Sequence, residues 1–304
     1  MMRLHRTCGI YSLAAVLLLL MVACRTEILP IDRPHIFPGV RVQDVSFYST
    51  SLARSMPYRV YLPEEISPGR KLPVVFLLHG AFGNFRDWSN RSMVVTWAAR
   101  GLILVMVQGD QSSYYMNSVE HPRDRYEDYL LRDLSADVST RFPAAAGRSN
   151  RALVGISMGG FAALSIALRH PEIFCFVAAI SPAVDILHRG FSVRHFGQWW
   201  RTRNVFGPAS DTFRQAVDPF ALVQTANPAR ASFLYVTAGE SEPLYGPCRR
   251  FARELAARHF AFEFHAKPGG HDWGEWDSQL PGVLATLMAQ LRDTQQLHSA
   301  NDSI

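Results

Sequence analysis

A serine flanked by glycines is the residue of this sequence best placed to do chemistry. Gly155, Ser157 and Gly159 fit the pattern G-x-S-x-G within ALVGISMGGFAALSIALRHP, which begins at Ala152. An apolar run precedes the serine, and alanine-rich sequence of helical character follows it. On a sharp strand-to-helix turn such a serine is strained and exposed, and glycines on either side avoid collisions. The pattern predicts a nucleophile at Ser157, although an ordinary tight turn has the same five residues.

His271 is the predicted base for this nucleophile. A serine hydroxyl reacts slowly until a base removes its proton, and the base needs an acid to orient it. Among the 11 histidines, His271 lies in the glycine-rich segment KPGGHDWGEW, directly after the last predicted strand. From there its ring can reach the carboxyl ends of the strands. His79 precedes the serine in the chain and is expected to brace the loop after the first buried strand.

Two glutamates compete for the role of the orienting acid. The segment FLYVTAGESEPLYG places Glu240 and Glu242 just after a predicted strand. The chain order is then nucleophile, acid and histidine, which is the order of an α/β-hydrolase. Glu242 is preferred over Glu240. Asp272 adjoins His271 in sequence, and neighbouring side chains rarely align as an orienting pair.

The segment LLHGAFGNFRDW, at 77–88, is the predicted source of an oxyanion hole. The tetrahedral intermediate of acyl transfer needs amide donors aimed at its developing negative charge. An apolar strand ends here and continues into a loop that can aim the amide of Ala81 or Phe82 at a carbonyl oxygen. The amide of Met158, directly after the serine, is the expected second donor.

A mostly parallel sheet is needed to bring these residues together. Continuous apolar runs that end in glycine, at 72–80 and 102–109, are typical of buried parallel strands. Further strands are predicted before Ser157 and in IFCFVAAIS, ASFLYVTAG and FAFEFHAKPGG, and VQDVSFYS with MPYRVYLP predicts a hairpin. Helical segments are predicted at 85–101 and 124–142, after Ser157, and in PCRRFARELAARH. This alternation predicts an α/β fold with helices on both faces of a central sheet.

The chain is predicted to form one domain at 41–292, with a cap-like insertion at 184–230 and a C-terminal tail at 293–304. The insertion is rich in aromatic residues and arginine and has little periodicity. It could line an aryl or acyl pocket and hold an acidic group, or form an aromatic core with solvated arginines. The residues concerned are Phe196, Trp199 and Trp200, with Arg194, Arg201 and Arg203.

The first residues predict export. A basic segment precedes the apolar run YSLAAVLLLLMV at 11–22, which is shorter than the roughly 20 residues of a membrane span and typical of a signal-peptide core. The run ends in LMVAC, where small Ala23 precedes Cys24, and this resembles a bacterial lipobox whose cysteine is acylated after cleavage. We therefore expect a signal peptide at 1–23 and a lipid anchor at Cys24, with ordinary cleavage as the alternative.

The lipid anchor predicts a location at the bacterial cell envelope, attached to a membrane. Arg25, rather than an aspartate, follows Cys24, which by resemblance to bacterial lipoproteins favours the outer membrane. Residues 24–40 contain three prolines and are predicted to form a tether. Without acylation the same leader would direct a periplasmic or secreted protein.

The composition is that of a globular protein with one large core. The 304 residues are 48% apolar and 19% charged, and the net charge of +5 comes without a dense run of lysine and arginine. This distribution excludes a nucleic-acid partner. Of the 4 cysteines, no pair has the spacing of metal ligands. Cys175 is expected to be a buried, inert thiol and Cys248 to lie at the start of a helix, and a Cys175–Cys248 disulfide is the alternative in an oxidising compartment.

Together these motifs resemble the putative-esterase family of α/β-hydrolases. That family includes esterase D (S-formylglutathione hydrolase), feruloyl and acetyl-xylan esterases, and the mycobacterial mycolyltransferases. The resemblance covers residues 41–292 and rests on LLHGAFGNFRDW, SSYYMNS, YEDYLLRDL, GISMGGFAALSIALRHPEIF, AGESE and GGHDWGEW. It implies Ser157 as nucleophile and His271 as base. It also implies Ala81 and Met158 as oxyanion donors.

The same resemblance adds two expectations about the site. Tyr114 in SSYYMNS stands where relatives often carry tryptophan beside the nucleophile, so Tyr114 and His79 are expected at the substrate-binding site. Relatives usually have aspartate where this chain has Glu242, and the longer acid leaves the choice between Glu240 and Glu242 open.

The sequence therefore predicts an exported, lipid-anchored serine esterase. It would cleave carboxylic esters of small molecules, carbohydrates or lipids through an acyl-enzyme on Ser157, His271 and Glu242. No metal or organic cofactor is implied. An acyltransferase to a sugar or lipid alcohol on the same triad is the alternative, and a non-catalytic binding protein on a hydrolase scaffold is a third interpretation.

Overall fold

An eight-stranded sheet organises the protein. The computed structural model describes residues 31–208 and 212–301, so the predicted signal peptide and Cys24 lie outside the described residues. The sheet order is β1-β2-β4-β3-β5-β6-β7-β8. The strands are β1 (Val40–Ser49), β2 (Arg54–Pro63), β3 (Val74–Leu78), β4 (Ile103–Val107), β5 (Arg151–Ile156), β6 (Phe176–Ile180), β7 (Phe233–Gly239) and β8 (Phe262–Lys267).

The strand directions agree with the fold class predicted from the sequence. β1 and β2 form the predicted hairpin, and β2 also pairs antiparallel with β4. All remaining neighbours, from β4 through β3 and β5 to β8, are parallel. The parallel strands therefore end at one common edge, where functional residues of open α/β sheets collect.

Apolar side chains fill both faces of the sheet. In β3, Val74, Phe76 and Leu78 belong to one buried cluster, while Val75 and Leu77 belong to the other. Since successive side chains of a strand point to opposite faces, a continuous apolar run is what two covered faces require. This explains why these strands lack the alternation of buried and exposed residues seen in β1.

Helices supply the two covering layers. The α-helices are α1 (Asp87–Arg91), α2 (Tyr126–Asp128), α3 (Ser135–Arg141), α4 (Met158–Arg169), α5 (Phe196–Phe206), α6 (Thr212–Val217), α7 (Pro219–Thr225), α8 (Tyr245–Ala257) and α9 (Trp273–Asn301). A π-helical segment, Tyr129–Leu134, joins α2 to α3, and 3₁₀ segments occur at Met93–Arg100, Arg148–Asn150, Ile186–His188, Val193–His195 and Pro228–Arg230. Phe161 of α4 and Phe251 of α8 pack in one cluster, and Leu280 of α9 packs in the other.

Two predicted helices and the predicted C-terminal tail differ from the structure in detail. The segment predicted as one helix at 85–101 is α1 followed by a 3₁₀ helix, which ends at Gly101 with φ 84°. The segment at 124–142 is helical but contains the π-helical turn. The described part of the predicted tail at 293–304 is helical, because α9 continues to Asn301.

The cap occupies the connection from β6 to β7 and is mainly helical, comprising α5, α6 and α7. Val205 and Phe206 on the inner side of α5 are buried. The Phe206 ring lies 5.6 Å from the ring of Phe161 in α4. The cap is therefore anchored on the helix that follows Ser157.

The sequence analysis also considered a disulfide between two cysteines. Cys175 and Cys248 are buried and free, so the disulfide considered from the sequence is not formed. Burial raises the pKa of Cys175 to about 11, which makes its thiol a poor nucleophile.

Of the helices in residues 31–208 and 212–301, none combines the length and hydropathy of a membrane span.

Candidate active site

Ser157 lies on a strained turn between β5 and α4. Its φ of 53° and ψ of −110° are values that residues other than glycine rarely adopt. The Ser157 amide donates to the Ile180 carbonyl at 2.9 Å, and its carbonyl accepts from the amides of Phe161 and Ala183 at 3.0 and 3.1 Å. These bonds hold the backbone in place and present the hydroxyl at the carboxyl edge of the sheet.

The two glycines of the motif are required by close backbone packing. A Cβ on Gly155 would overlap the carbonyl oxygen of Gly159. A Cβ on Gly159 would lie 2.6 Å from the carbonyl oxygen of Leu78, at the end of β3. Neither position has room for a side chain, because α4 starts directly against β5 and β3.

Three predicted catalytic residues form one hydrogen-bonded chain. Ser157 Oγ is 2.9 Å from His271 Nε2, and His271 Nδ1 is 2.5 Å from Glu242 Oε2. The second oxygen of Glu242 accepts from the amide of Gly239 at 2.9 Å. With Nδ1–H donating to the carboxylate, Nε2 is left to accept the serine proton. The geometry is that of a nucleophile, a base and an orienting acid.

The two glutamates that the sequence offers as the orienting acid differ in their exposure to solvent. The Glu242 side chain is fully buried, whereas Glu240 is exposed. Asp272 also has another role, because its Oδ1 accepts from the amides of Gly274 and Glu275 at the start of α9. The structure therefore brings Glu242, and neither of the other two acids, to His271.

A second carboxyl group, that of Glu275, is buried near Glu242 of the hydrogen-bonded chain, and the sequence analysis did not foresee it. Glu275 is 5% exposed. Its Oε1 accepts from Gln279 Nε2 at 2.6 Å, and within the described residues its Oε2 has no partner. Burial raises the pKa of Glu275, and the nearby charges of Glu242 and Asp272 raise it further. The only sequence signal is its position four residues after His271.

The turn that carries His271 rests on Glu275. A Cβ on Gly269 would lie 2.5 Å from Glu275 Cγ, so the turn has no room for a larger residue there. The His271 ring packs edge-on against Trp276 at 5.0 Å between centroids. Glu275 and Trp276, which are buried at the start of α9, thus position the predicted base.

The loop after β3 passes close over Ser157. A Cβ on Gly80 would lie 3.5 Å from Ser157 Cβ. The Phe82 amide donates to the Gln111 carbonyl at 2.8 Å, whereas across residues 31–208 and 212–301 the Ala81 amide donates no hydrogen bond. This distinguishes Ala81 from Phe82 as oxyanion donor. The Met158 amide is in the first turn of α4, where amides lack intrahelical partners.

His79 braces this loop from inside the protein. It has no exposed surface. Its Nδ1 donates to the Gly80 carbonyl at 2.7 Å, and its Nε2 accepts from the Gly109 amide at 3.0 Å. Burial lowers the pKa of His79, which favours the neutral ring that these contacts need. The contacts assign His79 a positioning role in place of the substrate contact expected for it.

Tyr114 lies between the nucleophile's helix and the cap. It is 5% exposed, and its φ is 52°. Its ring is 5.7 Å from Phe161 and 5.1 Å from Phe206. Tyr114 therefore packs in the joint beneath the cap, and substrate contact by its ring stays a prediction.

The cap agrees only in part with the two arrangements considered from the sequence, a substrate pocket and an aromatic core with solvated arginines. A cavity of about 500 Å³ lies between the cap and Pro243, and Trp199 lines it. Phe196 and Trp200 instead point outward and are about half exposed. The guanidinium of Arg201 lies over the Phe82 ring and that of Arg203 over the Trp199 ring, while Arg194 is exposed.

The side chains that commonly bind metal ions are not clustered in the part of the chain that the structure describes. Among them, no group of three or more histidine, cysteine, aspartate or glutamate side chains could hold an ion. The hydrogen-bonded chain at Ser157 instead has the parts that nucleophilic acyl transfer needs.

Comparison with known proteins points to the same chemistry. The model of the protein family described as putative esterase matches residues 49–287 of this chain. An acetyl esterase of Caldicellulosiruptor saccharolyticus is 24% identical over 259 residues, which cover 80% of this chain and 96% of the relative.

Solved structures of similar fold include two bacterial hydrolases. FphF, a fluorophosphonate-binding serine hydrolase of Staphylococcus aureus, superposes with a TM-score of 0.70 at 21% identity, covering 83% of this chain and 98% of its own. An S-formylglutathione hydrolase of Agrobacterium tumefaciens gives a TM-score of 0.71 at 18% identity, covering 86% and 98%. At these identities the likeness shows the α/β-hydrolase fold.

Proposed function

The chain belongs to the putative esterase family of serine hydrolases that act on carboxylic esters, and from that premise we propose that it works through an acyl-enzyme on Ser157. One observation carries the proposal. A continuous hydrogen-bonded chain runs from buried Glu242 through His271 to the strained Ser157. Such a chain both raises the reactivity of the hydroxyl and fixes its direction.

In the acylation half-reaction, His271 Nε2 takes the proton from Ser157 Oγ as the oxygen attacks the ester carbonyl carbon. The carbonyl oxygen becomes an oxyanion that accepts hydrogen bonds from the amides of Ala81 and Met158. Glu242 remains ionised and stabilises the imidazolium. The intermediate then expels the alcohol, which receives the proton from His271, and the acyl group stays on Ser157.

In the deacylation half-reaction, a water molecule replaces the alcohol. His271 takes a proton from the water as its oxygen attacks the acyl carbonyl carbon. The second tetrahedral intermediate uses the same two amides. Its collapse releases the carboxylic acid and returns the proton to Ser157 Oγ, so the enzyme is regenerated without a cofactor.

The test is an ester panel assayed with purified wild-type protein and Ser157→Ala. Suitable substrates are p-nitrophenyl esters, feruloyl esters and acetylated sugars, each with and without an added sugar or lipid alcohol. Hydrolysis by the wild type, with a loss in kcat on the order of 10⁴ to 10⁶ in Ser157→Ala, is expected. Transfer in place of hydrolysis would favour the acyltransferase, and no turnover at all would favour the non-catalytic scaffold.

We also propose that the chain is exported and anchored to the cell envelope by acylation of Cys24. The support is the apolar run at 11–22 and the small residue before the cysteine. Labelling cells with a palmitate analogue and then separating the membranes tests this proposal. Cys24→Ser should abolish the label and leave the specific ester hydrolysis unchanged. An unlabelled, soluble wild-type protein would refute the anchor.

A further inference from the structure

The cap presents an aromatic surface to solvent near the candidate active site. We define the cap surface as Phe191, Val193, Phe196, Trp199 and Trp200. Four of these are strongly exposed, with exposed fractions of 61% for Phe191, 83% for Val193, 52% for Phe196 and 51% for Trp200. The aromatic rings lie 5.3 to 6.4 Å apart, so they form one continuous patch.

Folding of the cap does not require this outward patch. The inner side of α5 already buries Thr202, Val205 and Phe206. Phe196 and Trp200, four residues apart, share the opposite side of the helix and pack on each other at 6.3 Å. Contiguous exposed apolar surface is rare on soluble proteins and marks a site of interaction.

The helix that carries much of the cap surface also contacts the loop beside Ser157. Phe82, on the loop that carries Ala81, is 63% exposed. The guanidinium of Arg201 in α5 lies 4.7 Å from the centre of the Phe82 ring. This cation–π contact joins the cap to the oxyanion loop. A partner on the cap surface would therefore bind the same helix that contacts the oxyanion loop.

The charged residues of the segment that carries the patch favour a partner of negative charge. Residues 186–208 contain four arginines and no aspartate or glutamate. Arg189 is paired with Asp185 at 2.8 Å, and Arg201 lines a cavity together with Asp110 and Asp124. Arg194, next to Val193 in the chain, is exposed. Aromatic residues with arginines are characteristic of proteins that bind the interface of anionic membranes.

A lipid surface fits better than a polysaccharide. Carboxylates are strong acceptors for sugar hydroxyl groups, and residues 186–208 contain none, while the preceding Asp185 is paired with Arg189. The most exposed member of the patch is the aliphatic Val193. Its branched side chain gains by entering acyl chains but offers nothing for sugar stacking.

We propose that the cap surface docks on an anionic lipid membrane and that the natural substrates are amphiphilic esters at that membrane. The substrate part rests on the proposed esterase function. Phe191, Phe196 and Trp200 enter the interface, Arg194 lies among lipid headgroups, and the entrance beside Phe82 faces the lipid. An ester can then pass from the membrane to Ser157 without crossing bulk water.

The test measures binding to vesicles by flotation, with the full chain carrying Cys24→Ser so that no lipid anchor contributes. Vesicles of phosphatidylcholine alone are compared with vesicles that also contain phosphatidylglycerol. In this background, Phe196→Ser with Trp200→Ser is the test variant. Tyr48→Ser is the matched control, because Tyr48 is 66% exposed on β1.

Binding to the anionic vesicles is expected, with at least tenfold weaker binding in the double variant and unchanged binding in Tyr48→Ser. Arg194→Gln should weaken binding to anionic vesicles and leave binding to neutral vesicles unchanged. The double variant should also lose at least tenfold more activity on a vesicle-borne ester than on a soluble ester. Equal binding by all variants, or binding to insoluble xylan in place of vesicles, would overturn the proposal.

Ser157→Ala separates this proposal from the proposed function. The substitution leaves the cap unchanged, so the Ser157→Ala protein should still bind anionic vesicles while it hydrolyses no ester. Vesicle binding with no hydrolysis by the wild type would refute the esterase mechanism alone. Hydrolysis by the wild type without vesicle binding would refute the docking surface alone.

Discussion

Glu242 Oε2 lies 2.5 Å from His271 Nδ1, and the two side chains differ sharply in exposure. The glutamate side chain is fully buried, while the histidine side chain is 33% exposed. The acid is thus shielded from solvent and fixed by the Gly239 amide, and the ring that it orients remains accessible from the substrate side. This arrangement keeps the imidazole in the tautomer that accepts the serine proton.

Glu242→Gln is predicted to lower kcat by a factor on the order of 10² or more. The amide keeps the size of the side chain but removes the charge that stabilises the imidazolium, and it can favour the wrong tautomer of His271. Glu240→Gln, at the exposed neighbour, should change kcat little. Steady-state kinetics on one p-nitrophenyl ester compare the two. The opposite ranking would transfer the acid's role to Glu240.

His271→Ala and His79→Ala should have different effects on kcat and on the melting temperature. Loss of His271 removes the base, so kcat should fall by a factor on the order of 10⁴ to 10⁶ while the melting temperature stays close to the wild-type value. His79→Ala leaves the buried Gly109 amide without its partner, at a cost of about 1–3 kcal/mol. It also removes one of the two donors to the Gly80 carbonyl, which keeps the Gly83 amide. A lower melting temperature and a smaller loss in kcat are therefore expected for His79→Ala. A stable but inactive His79→Ala protein would contradict this division.

Gly155→Ala should disrupt the nucleophile turn. The new Cβ would overlap the Gly159 carbonyl, and that overlap involves backbone, which cannot move without shifting α4. We expect a lower melting temperature together with a large loss of kcat. Gly246→Ala is the control, because a Cβ there meets nothing within 4 Å and the residue lies in α8. If Gly155→Ala matched the control in both measurements, the packing argument would be wrong.

Glu275→Gln should stabilise the protein at neutral pH. Burial raises the pKa of Glu275 above its ordinary value of 4.5, so the folded state holds the proton more tightly than the unfolded chain does. The bound proton stabilises the folded state in full when the pH is below the pKa that Glu275 has in the unfolded chain. This stabilisation is lost as the pH rises through the pKa that Glu275 has in the folded state. The amide cannot ionise and keeps the acceptor for Gln279. Its advantage in melting temperature should therefore appear near about pH 7 and shrink toward about pH 4.

Thermal unfolding across that pH range measures the effect of Glu275→Gln. Glu240→Gln, which alters an exposed carboxyl group, is the control and should leave the melting temperature unchanged. A Glu275→Gln protein that is less stable than the wild type at neutral pH would show that the ionised carboxylate is stabilising.

The residues brought to Ser157 could be predicted because each follows a strand end in the sequence. A parallel sheet collects its carboxyl ends at one edge, so Ser157, Glu242 and His271 meet there whatever the details of the helices. The choice between Glu242 and Glu240 depends on the turn after β7, which buries one and exposes the other. That turn is a tertiary feature, and the sequence pattern of the two acids is the same.

Other features could not be predicted for similar reasons. Periodicity over six residues does not distinguish a π-helical turn from an α-helical one, so Tyr129–Leu134 reads as ordinary helix. Glu275 is buried because the Gly269 turn covers it, which helical spacing alone does not reveal. The outward direction of Phe196 and Trp200 likewise depends on how α5 docks on Phe161, far away in sequence.

The identity of the nucleophile is the central claim, and labelling with a fluorophosphonate followed by peptide mass spectrometry tests it most directly. The Ser157 oxygen should attack phosphorus and displace fluoride, which leaves one stable phosphonyl group on the wild-type protein. We predict that this group maps to Ser157, that its formation abolishes ester hydrolysis, and that Ser157→Ala takes up no label. A label on another residue, or continued hydrolysis by Ser157→Ala, would contradict the mechanism.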